Sequence, residues 1–302
     1  MANQGIRADH SGTVEVRRVA RQGIVRAYRM LSAQALSDTT VHDARKEIRR
    51  SRAAVRLLRV ALGGPRFHRE NARLRDAGRA LNEVRDAKVL VSTLDSLRAR
   101  HPQLARERAF DALSRRLREQ QRRSRRHLNA SSAPSIDAAR RTLEQTQFSA
   151  SHWPVEHGGW RMLGPAFRRV YAAGRRSARK SRSQPDERLM HEWRKQVKYL
   201  RHALQLFVPL QPTKLKKHVQ LARQLADSLG DGHDLALLRE SATNGHGNSA
   251  PGMKSLLAAI DQRRRALRKQ AFDLAERVYG DSPGEMDRRL QRYWHRWRRQ
   301  VG

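Results

Sequence analysis

Cysteine is absent from the 302-residue chain. That removes disulfides, thiolate metal ligands and cysteine nucleophiles together. Aromatic residues make up only 5%, and no helix-turn-helix, finger or RNA-recognition signature occurs, which weighs against a dedicated reader of nucleic acid. No run approaches the ~18 apolar residues of a membrane span. The stretch from Ala53 to Leu62, for instance, is broken by Arg56 and Arg59. Residues Met1 to Gly12 are polar and lack the apolar centre of a signal peptide, so a cytoplasmic location with no membrane contact is expected. Acid is scarce too: 29 Asp+Glu stand against 64 Lys+Arg, a formal net charge of +35.

What is present is arginine. Only 10 of the 64 basic residues are lysine, which leaves 54 arginines. A charge excess of this size raises self-repulsion in the folded state, and a polyanionic partner relieves it. The planar guanidinium fork suits phosphate oxygens. Hydrophobic residues still make up 38% of the chain, enough to bury a core, so it is not compositionally disordered.

Turn residues are few and clustered at Gly63-Gly64-Pro65, Asn129 to Pro134, Ser149 to Gly159 and Thr243 to Gly252. Between them the pattern has helical period and almost no strand alternation. The reading is all-α, with helices at about 12–37, 40–62, 66–100, 103–128, 136–148, 161–182, 185–208, 212–240, 251–279 and 284–300.

The chain also resembles itself. Val41 to Arg52 (VHDARKEIRRSR) aligns with Met190 to Arg201 (MHEWRKQVKYLR) at an offset of 149. Leu81 to Asp86 aligns with Leu229 to Asp234 at an offset of 148, and Arg115-Arg116 with Arg263-Arg264 at the same offset. A near-constant offset over three blocks predicts an internal duplication, with four to five helices per copy, the content of one bundle. The expected organisation is a flexible N-terminus over 1–11, one half over 12–150, a linker over 151–160 and a second half over 161–300.

On a helix from Thr40 to Leu62, residues His42, Arg45, Arg49, Arg52, Arg56 and Arg59 fall in a stripe about 80° wide. Ala44, Ile48, Val55, Leu58 and Leu62 form an apolar stripe about 115° away. Thr40 and Asp43 have the spacing of a capping box, which starts this helix just before His42. In the second copy Ser183 and Asp186 have cap spacing with Pro185 in the first turn, and the stripe is His191, Arg194, Lys198 and Arg201. Like charges at these spacings destabilise an isolated helix by a few tenths of a kcal/mol per pair. Such a row suits a linear polyanion that needs a track of donors. The alternative is an ordinary solvated face. Against it, no acid interrupts the stripe between Arg45 and Arg59, and the pattern recurs.

At these residues the sequence resembles the CHAD family, the conserved histidine α-helical domain. The family hallmark is a His followed three and four residues later by Arg-Lys and then by spaced basic residues, once in each half. His42/Arg45/Lys46/Arg49/Arg52 and His191/Arg194/Lys195/Lys198/Arg201 fit it. Arg85-Asp86-x-x-Val89-Leu90 and His233-Asp234-x-x-Leu237-Leu238 resemble a weaker second block. The likeness runs from about Gly12 to about Arg299. It implies two pseudo-symmetric helical bundles with a basic surface or central pore, binding of inorganic polyphosphate and recruitment to polyphosphate granules. It marks His42, Arg45, Lys46, Arg49, Arg52, His191, Arg194, Lys195, Lys198 and Arg201 as polyphosphate contacts, and the helical stripe adds Arg56 and Arg59.

Catalysis is not expected. The Glu-x-Glu-x-Lys signature of the triphosphatase-like domain carried by some family members is missing, as are a Gly-x-x-x-x-Gly-Lys phosphate loop and a His-Glu-x-x-His pair. His152/His157 and His233/His246 lie near loops without carboxylate ligands beside them, so no metal or cofactor is expected. Asp86 and Asp234 read as partners of basic residues, and Trp294 and Trp297 as packing residues. Two alternatives stand beside polyphosphate binding: a basic protein that binds nucleic acid non-specifically, and an enzyme acting on polyphosphate or nucleotides.

Overall fold

A computed structural model of the chain describes residues 5–7, 11–34, 36–81, 86–128, 133–155, 158–245 and 251–301. Among the described residues there are twelve α-helices and no strand. In chain order they are α1 (Gly12–Leu31), α2 (Asp38–Leu57), α3 (Arg59–Leu62), α4 (Gly64–Ala80), α5 (Asp86–Arg100), α6 (Arg108–Leu128), α7 (Ala133–Ser151), α8 (Trp160–Ser183), α9 (Glu187–Phe207), α10 (Pro212–Gly245), α11 (Met253–Val278) and α12 (Pro283–Val301).

Two hydrophobic cores hold them. The larger takes its side chains from α1, α2, α4, α7, α8, α9 and α12, with the first half of α10 and the last turns of α11. The smaller is built on α5 and α6, closed by Leu235, Leu238 and Ala242 of α10 and by Met253 to Leu267 of α11. Each core draws on both sides of residues 151–160, and α10 and α11 run from one core into the other. At the centre α2 packs against α9; α1 and α4 flank α2, and α8 and α10 flank α9.

The apolar stripe of α2 explains its position. Ala44, Ile48, Val55 and Leu58 are all buried, and a fully buried Ile or Leu contributes roughly 1.5–3 kcal/mol. Glu47 is buried as well, where it receives Arg26 Nη2 from α1 at 2.7 Å and also pairs with Arg50. With these residues turned inward, Arg45, Arg49, Arg52 and Arg56 fall on the side of α2 that faces α4 and α9. On α9 the buried Trp193 stacks on Phe272 of α11 at 5.2 Å and 18°, while Val197, Leu200 and Leu204 fill the larger core. Trp294 packs against Trp160 and Trp297 and is buried.

Several expectations need correction. The cap of α2 is Ser37, whose hydroxyl accepts from Thr40 N at 3.1 Å. Asp186 caps α9 by accepting from Arg188 N at 3.1 Å, which leaves Pro185 outside the helix. His42 and His191 are therefore each the fifth helical residue, a turn away from the first backbone N–H groups. The single helix expected over 66–100 is two, because α4 ends at Ala80 and α5 begins at Asp86. The N-terminus, expected to be flexible, is docked where it is described. Ile6 is buried, its N–H reaches Leu206 O at 3.2 Å, and Arg7 N donates to Glu15. In the expected linker Trp153 and Val155 are buried in the larger core. Both departures have one cause, apolar side chains set in otherwise polar stretches. Arg85, His157 and His246 lie outside the described residues, as does the side chain of Asp86.

Candidate functional site

Where α2, α4 and α9 meet they enclose a cleft of about 360 Å³. From α2 come Arg45, Arg49, Arg52 and Arg56; from α9 come His191, Arg194, Lys195 and Lys198; α4 adds Arg75 and Arg79. Nine lysines and arginines thus line one cleft, against a single carboxylate, Glu192. Burial alone would raise the pKa of Glu192, but hydrogen bonds from Lys195 and Gln196 outweigh it and hold the carboxyl below its usual range.

The guanidinium groups of α2 are fixed by neighbours on α4 and on α2 itself. Arg45 Nη1 donates to Leu81 O at the end of α4 (3.1 Å), and Arg52 Nε donates to Asn71 Oδ1 (2.9 Å). Arg49 Nε donates to Arg45 O (3.2 Å). On α9, Arg194 is buried with Nη2 4.0 Å from Asp234, so Asp234 partners a basic residue as its sequence context suggests. The base of the cleft is Tyr199, 8% exposed. Arg56 Cζ lies 4.0 Å and Arg52 Cζ 5.3 Å from its ring centroid. The negative face of the ring attracts both cations, which offsets part of their mutual repulsion.

The electrostatics are strained in one direction. Burial lowers the Arg52 pKa, Tyr199 opposes that shift, and Arg56, Arg75 and Arg79 add to it. His191 is also held below its ordinary value, first by burial and then by Lys195, Arg194 and Lys198. Its ring lies 4.8 Å from that of His233. In the cleft wall Arg56 Nε and His191 Nδ1 are buried and meet no hydrogen-bond partner among the described residues.

Of the twelve residues expected to bind polyphosphate, the structure brings eight together in this cleft: Arg45, Arg49, Arg52, Arg56, His191, Arg194, Lys195 and Lys198. It places His42, Lys46, Arg59 and Arg201 outside the lining. Lys46 is exposed and paired with Asp43 at 2.8 Å. Arg59 is on α3, beyond the end of α2, with its guanidinium 4.7 Å over the Phe67 ring. Arg201 is turned toward His202 (Nη2 to Nε2, 3.4 Å) and the Asp227 side of α10. The sequence reading missed Arg75, Arg79 and Tyr199. The i, i+4 spacing of Arg75 and Arg79 was a usable signal, but nothing local says which helix face meets α2. Among the described residues no three His, Cys, Asp or Glu side chains converge as metal ligands, and no helix is long and apolar enough to cross a membrane.

Comparisons with known proteins bear on the fold and the family. A search of curated proteins gives no match. The crystal structure of the CHAD domain from the plant Ricinus communis is similar, with a TM-score of 0.57 and 18% identity, over 91% of this chain and 94% of that one; at this identity the likeness concerns the fold. The family model for the CHAD domain matches residues 20–243. The chain therefore belongs to the CHAD family.

Proposed function

We propose that the protein binds inorganic polyphosphate, without turning it over, in the cleft between α2, α4 and α9. The observation that carries this reading is the convergence of nine cations from three helices on one cleft. Such a cleft rewards a ligand that presents many negative charges in succession and has no shape to be read. The CHAD family is associated with polyphosphate binding in general, which supports the same reading. So does the poverty of the cleft in acid–base pairs, since its one carboxylate is occupied by Lys195 and Gln196. Bound to a polymer that forms granules, the protein would gather on them.

The test is direct titration of long-chain polyphosphate into wild type and into the double variant Arg52→Glu/Lys198→Glu, with Arg29→Glu/Arg179→Glu as a charge-matched control on exposed sites. The cleft variant is expected to lose binding and the control to keep nearly all of it. Equal losses in the two would sink the cleft assignment. Placement of a fluorescently tagged protein in cells with and without polyphosphate tests granule recruitment.

A further inference from the structure

The side of α4 turned away from the cleft carries a second basic surface of different character. Arg75 and Arg79 face the cleft; Arg66, Arg69 and Arg73 are centred about 130° around the helix from them. There α4 and α7 form an open groove of about 510 Å³, lined by these three arginines with Phe148, Ser149 and His152 of α7 and its end. The groove rests on Glu70, a fully buried carboxylate that receives Ser149 Oγ at 2.8 Å and Arg73 Nη1 at 3.3 Å, with Arg69 Nε at 3.6 Å. This carboxylate ties the two helices together and orients two of the arginines.

Phe148 is 72% exposed, more than any other large hydrophobic side chain among the described residues. The adjacent His152 ring lies 5.0 Å away, tilted by 50°, and its Nδ1–H donates to Phe148 O, which fixes the ring at the groove. The central cleft differs on this point. Its aromatic residue, Tyr199, is buried under two guanidinium groups and offers no face to a ligand.

We infer that the α4–α7 groove binds single-stranded nucleic acid, with a base stacked on Phe148 and the flanking phosphates on Arg66, Arg69 and Arg73. A bare phosphate chain satisfies the arginines but has nothing to lay against the ring. A duplex presents phosphates but keeps its bases stacked inside. A single strand supplies both groups in each repeating unit, and a basic groove with an aromatic platform is the usual solution to that ligand. This site is separate from the cleft proposed for polyphosphate, and its assignment does not depend on that reading.

The experiment measures, at one fixed salt concentration, the affinity of a fluorescently labelled oligothymidylate of about twelve nucleotides. Phe148→Ala is expected to weaken binding about tenfold, within the range one stacked base contributes. Its binding of long-chain polyphosphate and its thermal midpoint should match wild type, because the side chain is exposed. Phe148→Trp is expected to keep the affinity and to show quenching of its new indole emission when the oligonucleotide is added. An abasic strand of the same length should bind wild type and Phe148→Ala equally. The inference is overturned if Phe148→Ala binds the oligonucleotide as wild type does, or if the abasic strand or an acidic phenylalanine-containing peptide shows the same dependence on Phe148.

Discussion

Salt is the most direct probe of the central cleft, because the structure bounds the answer on both sides. A cation that neutralises a phosphate releases a condensed counterion, and for a flexible single-stranded polyanion log K falls with log salt by about 0.7 per contact. If all nine cleft cations engage, the slope for long-chain polyphosphate is about −6. If only the four arginines of α2 do, it is about −3. Raising monovalent salt from about 50 to about 200 mM should then weaken binding between about 60-fold and about 4,000-fold. Arg52→Gln should make the slope shallower by about 0.7. The assay is a set of equilibrium titrations at four or more salt concentrations with chains long enough that end groups are negligible. A slope shallower than about −1 would mean that the ligand meets a single group, and the cleft would not be a track. A slope much steeper than −6 would mean that charge over the whole surface is engaged. Either outcome refutes the site as drawn.

Four other outcomes are expected. Tyr199→Phe should bind polyphosphate nearly as wild type, whereas Tyr199→Leu removes the ring under Arg52 and Arg56 and should weaken binding roughly three- to tenfold, in line with the worth of a cation–π contact; titration calorimetry distinguishes them. Gly174→Ala should lose about 1–3 kcal/mol in urea denaturation, because a Cβ there would lie 2.3 Å from Tyr279 Oη, on a buried ring packed against Tyr171. Acidification should tighten polyphosphate binding in wild type but less in His191→Gln: a bound anion raises the lowered His191 pKa, so complex formation takes up a proton and affinity rises as pH falls between the bound and free values. The free protein should respond in the opposite sense, since burial also holds His202 well below its ordinary value. The unfolded chain, with its histidines near ~6.5, takes up protons first, so stability declines as pH falls below that value toward the folded pKa values; pH-dependent thermal melts check it.

The helices were legible because their stabilisation is largely one-sided burial, and that leaves a period in the sequence. Ala44, Ile48, Val55, Leu58 and Leu62 read as one stripe and all are buried. Their ends were less legible. Ser37, Thr39 and Thr40 are all residues that cap, so local chemistry alone does not choose Ser37. The break after α4 carries no proline signal, and its nearest glycine, Gly78, lies inside the last turn of the helix. Its last turn is secured from outside, by Arg45 donating to Leu81 O, and a side chain 36 positions earlier cannot be read from the sequence around Leu81. The opposite error is avoided in α10, where Gly230 and Gly232 lie within a continuous helix. The turns on either side of them are buried in two different cores, which outweighs a cost of about 1 kcal/mol per glycine.

The site divides along the same line. A periodic pattern tells which residues share a face of one helix, but not what that face meets. Arg45, Arg49, Arg52 and Arg56 form a stripe in the sequence, and the structure keeps them together. Arg59 leaves the stripe because the helix ends at Leu57, with Leu58 as the cap between α2 and α3. Arg201 leaves because the face of α9 it occupies turns toward α10. What converts two separate stripes into one cleft is the packing of α2 on α9, with Tyr199 set between the arginines and Arg75 and Arg79 added by α4. That concentration of like charge opposes folding. Ring, carbonyl and amide contacts to Arg45, Arg52 and Arg56 relieve only part of it, since Arg56 Nε remains buried without an acceptor among the described residues. A ligand that neutralises the cleft then stabilises the folded state by an amount that grows with its concentration, and the repulsion stored among the arginines contributes to its affinity.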